Sequence, residues 1–140
     1  MERYLVVANR TLGGEHLLEE VRHRLSTGAC RFHVVVPVTP VSEHGMWNEG
    51  HSRIEAEKRL EVELTRLREL GAEVTGTLGD PSPVLAIRDA LMRQGSFDGI
   101  ILSTLPPGAS RWLKLDLPHR VERDFALPVT HVIAEAERVS

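Results

Sequence analysis

Two stretches of the sequence carry the residue types that grip a phosphate or another polar small molecule. The first, Ala8-Asn9-Arg10-Thr11-Leu12-Gly13-Gly14, sets an amide, a guanidinium and a hydroxyl beside paired glycines. The second runs from Ser103 to Arg111 and offers the hydroxyls of Ser103, Thr104 and Ser110, then the fork-shaped cation of Arg111. Gly13, Gly14 and Gly108 permit the close backbone approach that a phosphate cradle requires. The same glycines, with Pro106-Pro107, also serve as ordinary turn punctuation on a surface loop. Neither stretch contains GxxxxGK[ST], and no GxGxxG follows the first apolar run, which disfavours a P-loop hydrolase and a dinucleotide dehydrogenase.

Other constellations are weaker. Among the seven histidines there is no HExxH or HxxxH pair and no cysteine at ligand spacing, so no metal is expected beyond magnesium carried by a nucleotide. His33 and His131 alternate with apolar residues, as histidines satisfied at strand edges do. Ser103 or Ser110 with His119 would be a nucleophile and base, but neither serine sits in a GxSxG elbow and no acidic orienter is apparent. The chain is expected to be non-enzymatic, with no catalytic residues.

Length and composition bound the partners. The chain of 140 residues suits a single domain, 1–140, and its 41% hydrophobic and 26% charged residues are those of a globular protein. A formal net charge of −3 gives no general attraction to phosphate backbones or anionic lipids, so neither nucleic acid nor membrane is an expected partner. Cys30, the lone cysteine, has no internal disulfide partner, and no stretch reaches the roughly 20 apolar residues of a membrane span. The expected location is the cytoplasm.

Short apolar runs alternate with longer segments of helical period, the pattern of βα units wound into a parallel sheet. Strands are expected at Arg3 to Ala8, Phe32 to Val38, Glu73 to Leu78, Gly99 to Ser103 and Val129 to Ile133. The near-continuous apolar content of the first, second and fourth places them centrally. Leu17, Leu18, Val21 and Leu25 mark the first helix, stopped by Gly28. Ser52 with Glu55 reads as a capping box for the second, whose buried stripe is Leu60, Leu64 and Leu67 and whose stop is Gly71. Its charges, Glu55 with Arg59 and Arg59 with Glu63, read as a solvated face. Ser82-Pro83 starts the third, which turns Val84, Ile87 and Leu91 inward; Asp116 to Pro118 starts a short fourth, buried through Val121 and Phe125. The connection Thr39 to Gly50 is long for a βα turn and reads as a lid or a mobile loop. Leu113 to Leu117 alternates and would cover a crevice or offer a patch with Trp112, although packing of this stretch on the chain's own sheet is the plainer reading.

Right-handed crossovers turn five strands and four helices into one open, doubly wound α/β parallel sheet, order 3-2-1-4-5, with helices on both faces. The crevice then lies beyond the carboxyl ends of strands one and four, where the winding reverses. That brings Ala8 to Gly14 against Ser103 to Arg111. The last strand, an apolar edge, invites pairing with a second copy, so a homodimer through Val129 to Ile133 is expected.

Several motifs in this order resemble the universal stress protein family over nearly the whole chain. They are His33-Val34-Val35-Val36-Pro37 closing the second strand, Gly79-Asp80-Pro81 before the third helix, Phe97-Asp98-Gly99-Ile100-Ile101-Leu102 as the fourth strand, and Leu127-Pro128-Val129 opening the fifth. The resemblance, to a family within the adenine-nucleotide alpha-hydrolase-like superfamily, implies a regulatory domain that binds ATP or AMP and pairs through its last strand. The residues it implies around the nucleotide are Ala8, Asn9, Arg10, Thr11, Val36, Ser103, Thr104, Gly108, Ser110 and Arg111. The chain departs from the family's Gly-x-x-Gly motif and following Gly-Ser: Ser103 stands for the first glycine and Leu115-Asp116 for the Gly-Ser, and Asn9 stands where the family often has an acid. A carboxylate at 116 would repel phosphates by about 1 kcal/mol. Two alternatives therefore stay open, a homodimeric interaction module that has lost nucleotide binding and a weak nucleotide hydrolase.

Overall fold

The computed structural model describes the chain except residues 9, 10, 13, 39–41, 44, 45, 48, 108, 109 and 135–140, and the side chains of 42, 43, 46, 47, 49–52 and 111. Five strands form one parallel sheet: β1 (Glu2–Val7), β2 (Cys30–Pro37), β5 (Glu73–Gly79), β6 (Gly99–Thr104) and β7 (Val129–Ile133), in the order β5-β2-β1-β6-β7. Numbering these five alone gives 3-2-1-4-5, the order expected from crossover handedness. β1, β2 and β6 are the central strands; every residue of β6 is buried, as a strand covered on both faces must be.

The strands' alternation divides the core in two. Val6, Phe32, Val34 and Ile101 point to one face, where α1 (Glu15–Thr27) and α2 (Glu49–Glu69) lay down Leu17, Leu18, Val21, Leu60, Leu64 and Leu67. Leu5, Val7, Val35, Ile100 and Leu102 point to the other, under Val84, Ala86, Ile87 and Ala90 of α3 (Pro83–Gln94) and Leu117 and Val121 of α5 (Leu117–Phe125).

One local expectation, the cap of α2, is corrected, and others gain detail. α2 begins at Glu49, so Ser52 lies inside the helix and does not cap it; nothing from Glu49 to Ser52 forbids helical backbone, and one Ser-x-x-Glu match does not outweigh that. On the outer face of α2, Glu63 pairs with Arg66 at 3.2 Å in place of Arg59, and Arg53 lies 4.0 Å from Glu57. The 39–50 connection carries a two-stranded antiparallel ribbon, β3 (Ser42–Glu43) with β4 (Met46–Trp47); the lid reading of that connection otherwise falls on residues outside those described. The alternating stretch Leu113 to Leu117 begins in a helical turn and ends at the buried Leu117. Ser110 Oγ accepts from Leu113 N at 3.2 Å and starts a single turn, α4 (Arg111–Lys114), after which Trp112 packs on the α3-side core and Leu115 is exposed.

Two glycines fix the α2–β5–α3 corner. At the end of α2, Ala72 N bonds to Leu67 O at 3.2 Å and Gly71 N to Arg68 O at 2.9 Å, the paired bonds of a Schellman stop with Gly71 at φ 95°. Gly71→Ala is expected to lower stability by about 1 kcal/mol in urea unfolding, because only a residue without Cβ takes that φ without strain. At the end of β5, the Gly79-Asp80-Pro81 stretch turns the chain into α3: Asp80 Oδ1 accepts from Ser82 N at 2.9 Å, and Ser82 Oγ caps Leu85 N at 3.4 Å. Asp98 clamps the start of β6 to β1, its Oδ2 accepting from Arg3 N at 2.8 Å and its own N donating to Arg3 O at 2.7 Å. The Arg3 guanidinium then donates to Ser96 O and Gln94 O, neutralising the carbonyl end of α3, and stacks 4.8 Å from the Phe97 ring.

Candidate functional site

β1 and β6 pair side by side, Val7 opposite Leu102, so both chains leave the sheet at the same end. Ala8 is fully buried and ties to β2 through Ala8 N and Val35 O at 3.4 Å. Three residues on, Thr11 Oγ1 shares a 2.6 Å hydrogen bond with Ser103 Oγ, and both side chains are buried. The turn after the first strand therefore rests directly on the end of the fourth sheet strand in sequence. Gly14 N bonds to Thr11 O at 2.9 Å and closes the turn into α1; a Cβ at Gly14 would stand 3.1 Å from that same carbonyl. Glu15 in the first turn of α1 offsets part of the positive end that the helix presents here.

The other hydroxyls of the crevice are also bound within the chain. Thr104 points to the opposite face, its Oγ1 2.8 Å from His131 Nε2. Ser110, buried, caps α4 and closes a turn through Ser110 N and Pro106 O at 3.1 Å. Val36 is buried in the α1/α2-side core near the end of β2. Asn9, Arg10 and Gly108 lie outside the described residues, as does the side chain of Arg111, whose backbone opens α4. Of the residues singled out in the sequence, Thr11 and Ser103 are thus brought into contact, and Thr104 and Ser110 are turned to separate tasks. Asp116 is exposed at φ 54° before α5, and its Oδ1 pairs with His119 Nδ1 at 2.9 Å without bonding a backbone N–H of that helix.

Two clefts lie elsewhere, along the β5 edge on the α3 face. One of about 320 Å³ is bounded by His33, Thr77, Asp80, Arg53, Asp89 and Arg93 among others; the second, about 380 Å³, includes Arg3, Arg31, Glu73 and Phe97. They meet at His33 and Gln94. Neither contains a residue of the β1/β6 crevice. The crevice lies where the winding reverses, the position at which open α/β sheets commonly take ligands, whereas the clefts are open flanks of an edge strand. Sequence reading missed the partners there: His33 Nδ1 is 2.7 Å from Thr75 Oγ1 and its Nε2 3.2 Å from Thr77 Oγ1, contacts that depend on the register setting His33 opposite Thr75.

A half-buried cation links α1 to the far edge. Arg24 donates to Glu20 at 3.0 Å and to Thr130 Oγ1 of β7 at 2.6 Å, with its guanidinium 4.7 Å from the Tyr4 ring. The Tyr4 hydroxyl donates to Glu2, and that bond, with burial, raises its pKa. Cys30, buried at the start of β2, has its thiol pushed up by burial and then by Glu2, so it is protonated and inert at neutral pH. Among the described residues no three histidine, cysteine or acidic side chains are placed to hold a metal, and no helix is long and apolar enough to cross a membrane.

No family model matches the chain, and no curated protein does. Among solved structures, it matches the crystal structure of a protein from the universal stress protein family from Burkholderia pseudomallei, with a TM-score of 0.67 and 15% sequence identity over 94% of this chain and 95% of that one. The likeness extends over both chains almost end to end, and at that identity it is a likeness of fold.

Proposed function

We propose that this chain is a non-enzymatic regulatory domain of the universal stress protein kind, which holds an adenine nucleotide, ATP or AMP, between the turns that follow β1 and β6. The observation that carries the reading is the 2.6 Å contact of Thr11 with Ser103, which sets those turns against each other at the winding reversal. With the Thr11, Ser103 and Ser110 hydroxyls bonded internally, the phosphates fall to backbone N–H groups of the turns and to Arg111. A second copy pairs along β7, an edge strand whose Ile133 is exposed.

The same hydroxyl bonds favour a second reading, a homodimeric interaction module that has lost the nucleotide. Calorimetric titration with ATP and AMP in the presence of magnesium separates the two: the first expects saturable heat by millimolar nucleotide, the second expects none, and released phosphate would instead point to a hydrolase. Asp116→Ser is expected to tighten ATP about fivefold, the effect of removing about 1 kcal/mol of like-charge repulsion. Unchanged affinity would place Asp116 away from the phosphates.

A further inference from the structure

Each edge of the sheet is fastened to its neighbouring strand by one histidine. On the β5 edge, His33 of β2 holds Thr75 and Thr77; on the β7 edge, Thr104 of β6 holds His131. Both bridges lie on the face that α3 and α5 cover, and His33 is only 4% exposed. We propose that the two histidine–threonine bridges are an acid-sensitive latch, which lets both edge strands loosen while β1, β2 and β6 stay paired.

A neutral imidazole offers one donor and one acceptor, and a hydroxyl takes either role, so both bridges are satisfied with the rings uncharged. Protonation makes both ring nitrogens donors, and the hydroxyls still accept; the bonds survive, but the charge enters a buried site at His33 and a half-buried one at His131, each poorer in water than the open chain. Around His33 stand Arg3 from β1, Arg31 from its own strand and Glu73 from β5, with Arg53, Asp80, Asp89 and Arg93 bounding the cleft of about 320 Å³. Burial is the larger force against the cation there, and Arg3 adds to it. At His131 burial alone acts; Arg24, the cation reaching β7 from α1, bonds Thr130, which alternates to the opposite face.

The sign follows from the direction of both shifts. A histidine held below its ordinary value binds its proton less tightly in the fold than in the open chain. The stability it contributes is complete above the open-chain value of about 6.5 and is lost as pH falls from there through the folded value. Opening an edge strand relieves the charge without breaking the pairs of β1 with β2 and β6, so the loss is local to the edges.

Strand-resolved amide exchange at pH 7.5 and 5.5, corrected for intrinsic rates, tests this in the full chain. The expected result is a severalfold fall in protection of β5 and β7 in acid, with β1 and β6 unchanged. His33→Gln is expected to abolish the fall at β5 alone, and His131→Gln at β7 alone. Equal loss in all five strands, a fall that survives both substitutions, or no fall at all would overturn the latch. If either variant does not fold, ring titration by NMR in the wild-type chain decides: His33 and His131 titrating at or above the ordinary histidine value overturns it.

Discussion

Replacing Gly79 with valine is expected to destabilise the chain by about 3 kcal/mol or more and to flatten the corner between β5 and α3. A Cβ at position 79 would stand 2.8 Å from Ala86 Cβ and 2.9 Å from Val35 Cγ2, with the Ala86 Cα at 3.6 Å. Neither neighbour is the loose end of a long side chain. Val35 is locked in the central strand β2, and Ala86 is held in the first turn of α3 by its bond from N to Ser82 O at 2.9 Å. The helix must therefore lift, and Ile87, wholly buried one residue on, lifts with it. Alanine should cost about 1–3 kcal/mol at the same site, and pairing Gly79→Ala with Ala86→Gly should recover part of that, since it returns the missing space. Urea unfolding of the four proteins reads the effect directly. A valine variant within about 0.5 kcal/mol of wild type would show that α3 does not press on Gly79 as described.

That glycine also marks how far the sequence could be read. Strand order was legible because β1, β2 and β6 are apolar almost without interruption and because crossover handedness leaves few ways to arrange five of them. Gly71 and Ser82-Pro83 were legible as punctuation, since each supplies a backbone conformation or a cap that few other residues can, and Gly79-Asp80-Pro81 was legible only through the family resemblance. What failed was short or one-sided. α4 is one turn, too brief to display a helical period, so Leu113, Leu115 and Leu117 looked like alternation; β3 and β4 have two residues each and no pattern at all. The onset of α2 was placed at a capping motif although the backbone before it had no reason to leave the helix. In the crevice the residue types were legible and the partners were not. Thr11 and Ser103 are 92 positions apart, and whether a serine faces a ligand or a threonine depends on the register of two strands and the path of a turn. His33 was readable as a satisfied histidine, while its two threonines required the pairing of β2 with β5.

The Thr11–Ser103 bond gives the sharpest test of the crevice. Ser103→Ala is expected to cost about 1–3 kcal/mol, because the Thr11 hydroxyl, in a side chain only 6% exposed, is left without its partner in a site where water is excluded. Thr11→Val should cost a similar amount by stranding the Ser103 hydroxyl, which is more deeply buried still. Removing both oxygens leaves no unsatisfied group, so the double variant should lie close to either single one, well short of the sum. Additive losses in urea unfolding would mean that each hydroxyl has another partner and that the two turns do not lean on one another. The same proteins divide the functional readings. If the pair is only the floor beneath a nucleotide held by backbone N–H groups, the double variant, whose floor keeps its shape, retains affinity for ATP while each single variant, with a polar group seeking a new partner, loses it. If no nucleotide enters, all four are silent in calorimetry, and the hydroxyl pair is a strut that positions the two turns for a protein partner.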